Sequence, residues 1–109
     1  MENVIIEKSF KFGVEIVRLA KKFRGNDCEY KLASQLLRSG TSIGANVSEA
    51  QYGQRDKDFA SKMHIALKEA NEAQYWLRLL TEAEVIAEEL TKPLLRDDVI
   101  AGLTRNPKH

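Results

Sequence analysis

Apolar residues recur at helical spacing in four segments of this chain, a pattern that predicts an all-α fold. In the first, at about residues 9–24, Phe12, Ile16, Leu19 and Phe23 form one stripe, with Phe10, Val14 and Val17 beside it. Gly25 supplies a stop, and Asn26 or Asp27 can cap a second helix at about 28–52, with Glu29 placed to close a capping box with Asn26. The core positions of that helix, Leu36, Gly40, Ile43, Val47 and Ala50, alternate steps of four and three, and Leu32 extends the stripe by a turn. Gly53 ends it, and Asp56 is the expected N-cap of a third helix at about 57–81. There Phe59, Met63, Ala66, Ala70, Ala73, Leu77 and Leu80 keep heptad spacing.

The loop between the second and third helices is short enough to force an antiparallel turn, so the two must pack together. The small run SGTSIGANVSEA (39–50) places Gly40, Gly44 and Ala45 on the second helix, and these are expected to face the alanines of the third across a close seam. A fourth helix at about 88–104 contains Pro93, so it starts either at Thr91 or near Glu88 with a kink. Leu90, Leu94, Leu95, Val99 and Leu103 give it an apolar face, and NPKH is a frayed tail. The expected architecture is one domain, 1–109, folded as an up-down-up-down antiparallel four-helix bundle.

Composition narrows the class. Hydrophobic residues at 43% with 30% charged residues mark a chain able to fold, and the longest uncharged run, Ser39–Ser48, is far short of the roughly 20 apolar residues of a membrane span. The start, MENVIIEKSF, lacks a basic region ahead of an apolar core, and a lone Cys28 agrees with a reducing compartment, so a cytoplasmic protein without a membrane partner is expected. Net charge is only +1, yet residues 8–68 hold twelve Lys or Arg against six Asp or Glu, whereas residues 69–98 hold three against eight. The first helix concentrates cations at Lys8, Lys11, Arg18, Lys21, Lys22 and Arg24, read either as a solvated face or as a surface for RNA phosphates.

Catalytic and metal chemistry find little support. Glu-x-x-His pairs of a di-iron bundle are missing, His64 has no second histidine at helical spacing, and His109 is terminal. Ser39, Ser42 and Ser48 lack an evident base, the glycines do not make a phosphate loop, and the Asn46-Val47-Ser48 sequon falls within a helix. No enzyme activity, cofactor or small-molecule substrate is expected. One polar group stands out: Ser42, Asn46 and Glu49 adjoin the core stripe of the second helix, as Glu69, Glu72 and Trp76 do on the third. Polar side chains so near a core need partners, which implies a network fixing helix register or a subunit contact, with Arg38 or Arg55 as counter-charge. The other reading is a ligand or partner site. Tyr30 and Tyr52 could stack on bases, although their places at helix ends point to packing.

The run Tyr30, Leu32, Gln35, Arg38, Ser39, Ser42, Ile43, Asn46, Val47 and Glu49, then Arg55, Asp58 and Phe59, and the segment IALKEANEAQYWLRLL (65–80), resembles the four-helix-bundle family of 23S rRNA intervening-sequence proteins, also called the S23 ribosomal protein family. Two departures are mild, Ala50 where that family often has glycine and Asp56 where it has a serine cap; a third, Ala87 where serine often caps the last helix, together with Pro93 leaves the start of that helix open. The resemblance implies an up-down-up-down bundle assembled into a ring, typically a homopentamer, encoded inside rRNA insertions or free-standing. Accessory proteins of diversity-generating retroelements share this architecture but are strongly basic and bind nucleic acid and a reverse transcriptase; this chain lacks that basic excess. The resemblance and the charge pattern together lead to the expectation of a small homo-oligomeric binding protein with RNA or a ribonucleoprotein as partner. The alternative is a protein-protein adaptor without a nucleic-acid role.

Overall fold

In the structure, a computed structural model that describes residues 2–104, five helices follow one another: α1 (Glu2–Lys22), α2 (Asp27–Ala50), α3 (Asp56–Glu82), α4 (Glu88–Leu95) and α5 (Asp98–Thr104). No strand is present among the described residues. His109 and the NPKH tail lie outside them.

The first helix starts well before Ser9. Ile5 and Ile6 pack partly buried against the core, and Ile5, Ser9, Phe12 and Ile16 continue one stripe toward the N-terminus. Ser9 is an interior residue, buried, with its hydroxyl donating to the Ile6 carbonyl at 3.1 Å rather than capping anything. The helix also ends two residues short of Arg24, whose guanidinium donates to the Lys21 and Phe23 carbonyls at 3.0 and 2.8 Å, occupying acceptors that the helix end leaves open.

Asn26 caps α2 as its spacing predicts. Its side chain accepts from the Glu29 backbone N–H at 2.8 Å and the Asn26 backbone N–H donates to the Glu29 carboxylate at 2.9 Å, a complete capping box. The helix closes at Ala50, ahead of Tyr52, and Gly53 lies in the turn that follows. The cap of α3 is Arg55, in extended conformation without a side-chain cap bond. Asp56, expected there, takes the first helical position instead, where a carboxylate favours the dipole.

The expected fourth helix is two. α4 begins at Glu88 after Ala87 and carries Pro93 in its interior, where the ring offers no N–H to the preceding turn; the helix stops at Leu95. The Asp97 carboxylate then accepts from the Val99 backbone N–H at 2.9 Å, and α5 starts as a separate run of helical hydrogen bonds. Thr91, fully buried, meets the Thr81 hydroxyl at 2.6 Å, which ties α4 to the end of α3.

The largest interfaces are those of α2 with α3 and with α1; α4 and α5 close over α3. One apolar cluster runs through them, built on Phe12, Ile16, Leu36, Ile43, Val47, Leu77 and Leu80, with Ala66, Ala70 and Ala73 fully buried in it. Each fully buried large side chain contributes about 1.5–3 kcal/mol. The small residues of α2 are divided differently from expectation. Gly40 and Gly44 face α1, not the alanines of α3: a Cβ on Gly40 would lie 2.8 Å from the Ile16 side chain, and one on Gly44 would lie 3.1 Å from the Ser9 carbonyl oxygen. Ala45 is exposed. The reason is angular, since at about 100° per residue Gly44 and Ser42 fall on opposite flanks of the central Ile43. The close approach therefore belongs to α1 and α2, and the contacts Ser9–Gly44 and Ile16–Gly40 run in opposite senses along the two helices.

Gly40→Leu should lower stability by about 1–3 kcal/mol through overpacking. If the clash is with Ile16, adding Ile16→Ala should restore part of the loss, so a double-mutant cycle in urea will show coupling; additive effects would place the contact elsewhere. Asn26→Ala should cost about 1 kcal/mol by opening the box, read as a lower urea midpoint with an unchanged slope.

Candidate functional site

The flank of α2 that meets α3 carries the polar residues singled out in the sequence. Arg38 Nη1 donates to both Glu69 carboxylate oxygens at 3.2 and 3.3 Å, and its Nη2 donates to Glu72. Glu69 is the deepest of the three, its side chain only 19% exposed, while the guanidinium stays half in water. Further along the same seam Glu49 pairs with Lys62 at 2.7 Å, on a side of the bundle more open to solvent. Antiparallel packing carries this register: moving three turns on along α2 meets a residue three turns back along α3.

Ser42 and Asn46 do not join these ion pairs. The Ser42 hydroxyl donates to the Arg38 carbonyl at 2.7 Å, and the Asn46 amide donates to the Ser42 carbonyl at 2.9 Å, so both are satisfied on their own helix. Arg55 does not serve the cluster either; it turns to Asp58 at 3.2–3.3 Å, one turn into α3. Of the seven residues Arg38, Ser42, Asn46, Glu49, Arg55, Glu69 and Glu72, the structure joins three directly through their side chains. On the same flank of α3 the Trp76 indole N–H is buried with no acceptor among the described residues, and the ring meets Tyr75 edge-on at 5.1 Å. Carboxylates held by guanidinium and ammonium groups are acceptors already engaged, which suits a register lock better than acid-base chemistry.

The cations of α1 separate into two groups. Lys8 is tied to Asp98 of α5 at 2.9 Å and Arg24 to the end of its own helix, so neither adds to a free surface. Lys11, Arg18 and Lys22 follow steps of seven and four along one edge, with Lys21 beside them. Arg18 pairs with Glu15 at 3.0 Å, and Lys11, Lys21 and Lys22 are exposed with no ion-pair partner among the described residues. The two tyrosines also part. Tyr30 packs, with its ring edge-on to Phe23 at 5.1 Å and its hydroxyl donating to the Phe23 carbonyl. Tyr52 is 83% exposed at the α2–α3 turn, against the packing expected of it.

Lys62, Asp58 and Asp98 are the partners that reading the sequence misses. Extending the Arg38–Glu72 register along the antiparallel pair is a signal that leads to Lys62. Asp98 carries no such signal, because its meeting with Lys8 depends on the break after Leu95. No group of three or more His, Cys, Asp or Glu able to hold a metal occurs among the described residues, and none of their helices is long and apolar enough to cross a membrane.

A family model described as 23S rRNA-intervening sequence protein matches residues 1–99. Among solved structures, a protein of unknown function from the S23 ribosomal protein family of Bacteroides thetaiotaomicron VPI-5482 is 46% identical and superposes with a TM-score of 0.84, over 94% of this chain and 92% of that one. No curated protein matches.

Arg38→Ala should cost about 1 kcal/mol, because it strands the half-sheltered Glu69 as well as Glu72. Glu49→Ala, at a pair open to water, should cost below about 0.5 kcal/mol. Urea melts of both variants check the order, and equal losses would mean that the depth of Glu69 does not matter.

Proposed function

This chain belongs to the 23S rRNA-intervening sequence protein family, and on that premise we propose that it is a small, non-enzymatic, homo-oligomeric protein that binds RNA or a ribonucleoprotein. The observation that carries the reading is the edge of α1, where Lys11, Lys21 and Lys22 are exposed without carboxylate partners among the described residues, beside the part-compensated Arg18. Phosphates are the ligand such an edge suits: several mobile ammonium groups, few hydrogen-bonding groups that could read a base, and a spacing of one to two helical turns. The exposed ring of Tyr52 lies at the other end of α2 and offers a stacking surface apart from it. The same reading takes α4 and α5 together as a broken fourth helix of an up-down-up-down bundle, and the single thiol of Cys28 fits work in the reducing cytoplasm.

A ring, of which a pentamer is the form proposed, would repeat the cationic edge in every subunit and turn a weak patch into an avid one. The family's description refers to an rRNA insertion and the solved relative is of unknown function, so neither supplies the ligand. The polar seam of Arg38, Glu69 and Glu72 supports this assignment indirectly, as structure rather than chemistry. A second reading, a protein-protein adaptor without a nucleic-acid role, draws on the exposed apolar residues of α1, above all Phe10.

Binding to single-stranded and structured RNA of arbitrary sequence should be measurable at low salt and fall steeply as salt rises. The combined Lys11→Glu, Lys21→Glu, Lys22→Glu variant should bind at least about tenfold more weakly with a shallower salt slope. A control at Lys8, held by Asp98, should change less. Absence of binding at low salt, or binding indifferent to the triple reversal, would favour the adaptor.

A further inference from the structure

α1 has two apolar stripes, and only one of them is used inside the chain. Phe12, Ile16, Leu19 and Phe23 are buried, whereas Phe10, Val14 and Val17 stand on the neighbouring flank and line a groove of about 450 Å³ between α1 and α2. Steps of four, three and four lead from Phe10 through Val14 and Val17 to Lys21, a length of about 16 Å at 1.5 Å per residue. Arg18 and Lys21 line the groove at that end, and no acidic residue lines it. Apolar side chains therefore hold one end and cations the other.

The other polar side chains of the lining are already engaged. The Ser9 hydroxyl donates to the Ile6 carbonyl at 3.1 Å and the Thr41 hydroxyl to the Leu37 carbonyl at 2.8 Å, each on its own helix. Arg18 pairs with Glu15, but both are exposed, and Glu15 lines the depression on the α4 side of α1 rather than this groove. A pair so open to water holds its cation weakly. Lys21 has no ion-pair partner among the described residues. Gly13 adds a separate observation. Thr41 Cα, at 4.0 Å, is the nearest atom across the groove that a Cβ there would meet, so packing against α2 does not require glycine, as it does at Gly40 and Gly44. Glycine weakens a helix interior relative to alanine, and what it provides here is an open floor midway along the groove.

We propose that this groove binds a linear aliphatic carboxylate, its chain lying over Gly13 between Phe10 and Val17 and its head group at Arg18 and Lys21. The volume falls within the about 300–1,000 Å³ of small-molecule sites, and an apolar lining with a few converging charges is their ordinary make-up. A chain of about ten to twelve carbons spans the distance from Phe10 to the cations. Buried methylenes supply the affinity, and the cations fix which way the chain lies. Sugars and nucleobases suit the groove poorly, because their hydroxyls and amides would lose water without gaining partners. Nothing in the lining pairs a nucleophile with a base, so the carboxylate is a ligand rather than a substrate. The inference goes beyond the function proposed above and depends on neither RNA nor assembly.

The experiment is isothermal titration calorimetry of dodecanoate into the full chain, below the concentration at which dodecanoate self-associates. One molecule should bind per chain, and decanoate, two methylenes shorter, about tenfold more weakly. Dodecyltrimethylammonium should bind at least about tenfold more weakly than dodecanoate, and the combined Arg18→Glu, Lys21→Glu variant should reverse that order. Gly13→Leu places a side chain on the groove floor, so it should melt at or above the parent, bind dodecanoate at least about tenfold more weakly and leave RNA affinity at the parent's value. The head-group reversal is at exposed residues and tests the site even where Gly13→Leu folds poorly. Absence of binding, uptake without saturation, equal affinity for the two head groups, or undiminished binding by folded Gly13→Leu would each overturn the proposal, the last three marking an adventitious additive only. Absence of dodecanoate binding with a changed sedimentation of Gly13→Leu would overturn it in favour of another protein chain in the groove. These titrations contain no RNA, so their failure and the failure of the RNA reading are told apart.

Discussion

The close approach of α1 to α2 at Ser9 and Gly44 is the constraint on which the remaining arrangement depends. A Cβ on Gly44 would press on the Ser9 backbone, which cannot move as a side-chain tip can, so glycine there sets how near the two helices lie. Ser9 is small and folds its hydroxyl onto its own helix for the same reason. Once that distance is fixed, Ile16 sits over Gly40 and Phe12 enters the core fully buried. α2 is left with its central stripe for the core and its other flank for α3.

That other flank is polar where it leaves the core. A helix pair held only by Ala, Leu and Ile layers can slide by a turn at modest cost, since one apolar layer resembles the next. Arg38 between Glu69 and Glu72 makes a slip expensive: a shift of one turn would move the guanidinium from one carboxylate and leave Glu69, partly sheltered, without a cation. Small residues on one flank of α2 thus set separation, and charges on the other set register. Ser42 and Asn46, turned back onto α2, fill the space between ion pairs without competing for them.

Local chemistry makes much of this legible in the sequence. The Asn26–Glu29 box needs only four consecutive residues, and the stripe of Leu36, Ile43, Val47 and Ala50 needs only helical spacing. The start of α1 is hidden because Ser9 is a good cap in isolation and Glu7 and Lys8 break the apolar run ahead of it; tertiary burial of Ile5 and Ser9 overrides that local preference. Gly40 and Gly44 sit on the expected helix but against a different partner, since a one-dimensional pattern tells which residues are small but not which neighbour they admit. The polar seam is visible in the sequence, yet its composition is not: Arg38 and Arg55 are both candidate counter-charges, and the antiparallel register brings Arg38 to Glu69 and Glu72 whereas Arg55 pairs locally with Asp58 three residues on. The break after Leu95 depends on Pro93 and Asp97 acting together, which neither signals alone.

The surface follows from the same division. Because α2 uses one flank for α1 and one for α3, the outer stripe of α1 is left over within the chain, and so is the outer ridge of α3. The five helices share one buried cluster among the described residues, so apolar side chains beyond that cluster must face solvent or another molecule. Arg18 and Lys21 border the first, and the Arg78–Glu82 pair borders the second. Cations farther round α1, Lys11 and Lys22, lie off the groove and stay available when it is filled. The apolar stripe and the cationic edge therefore occupy adjoining arcs of one helix, and Lys21, which lines the groove beside that edge, belongs to both.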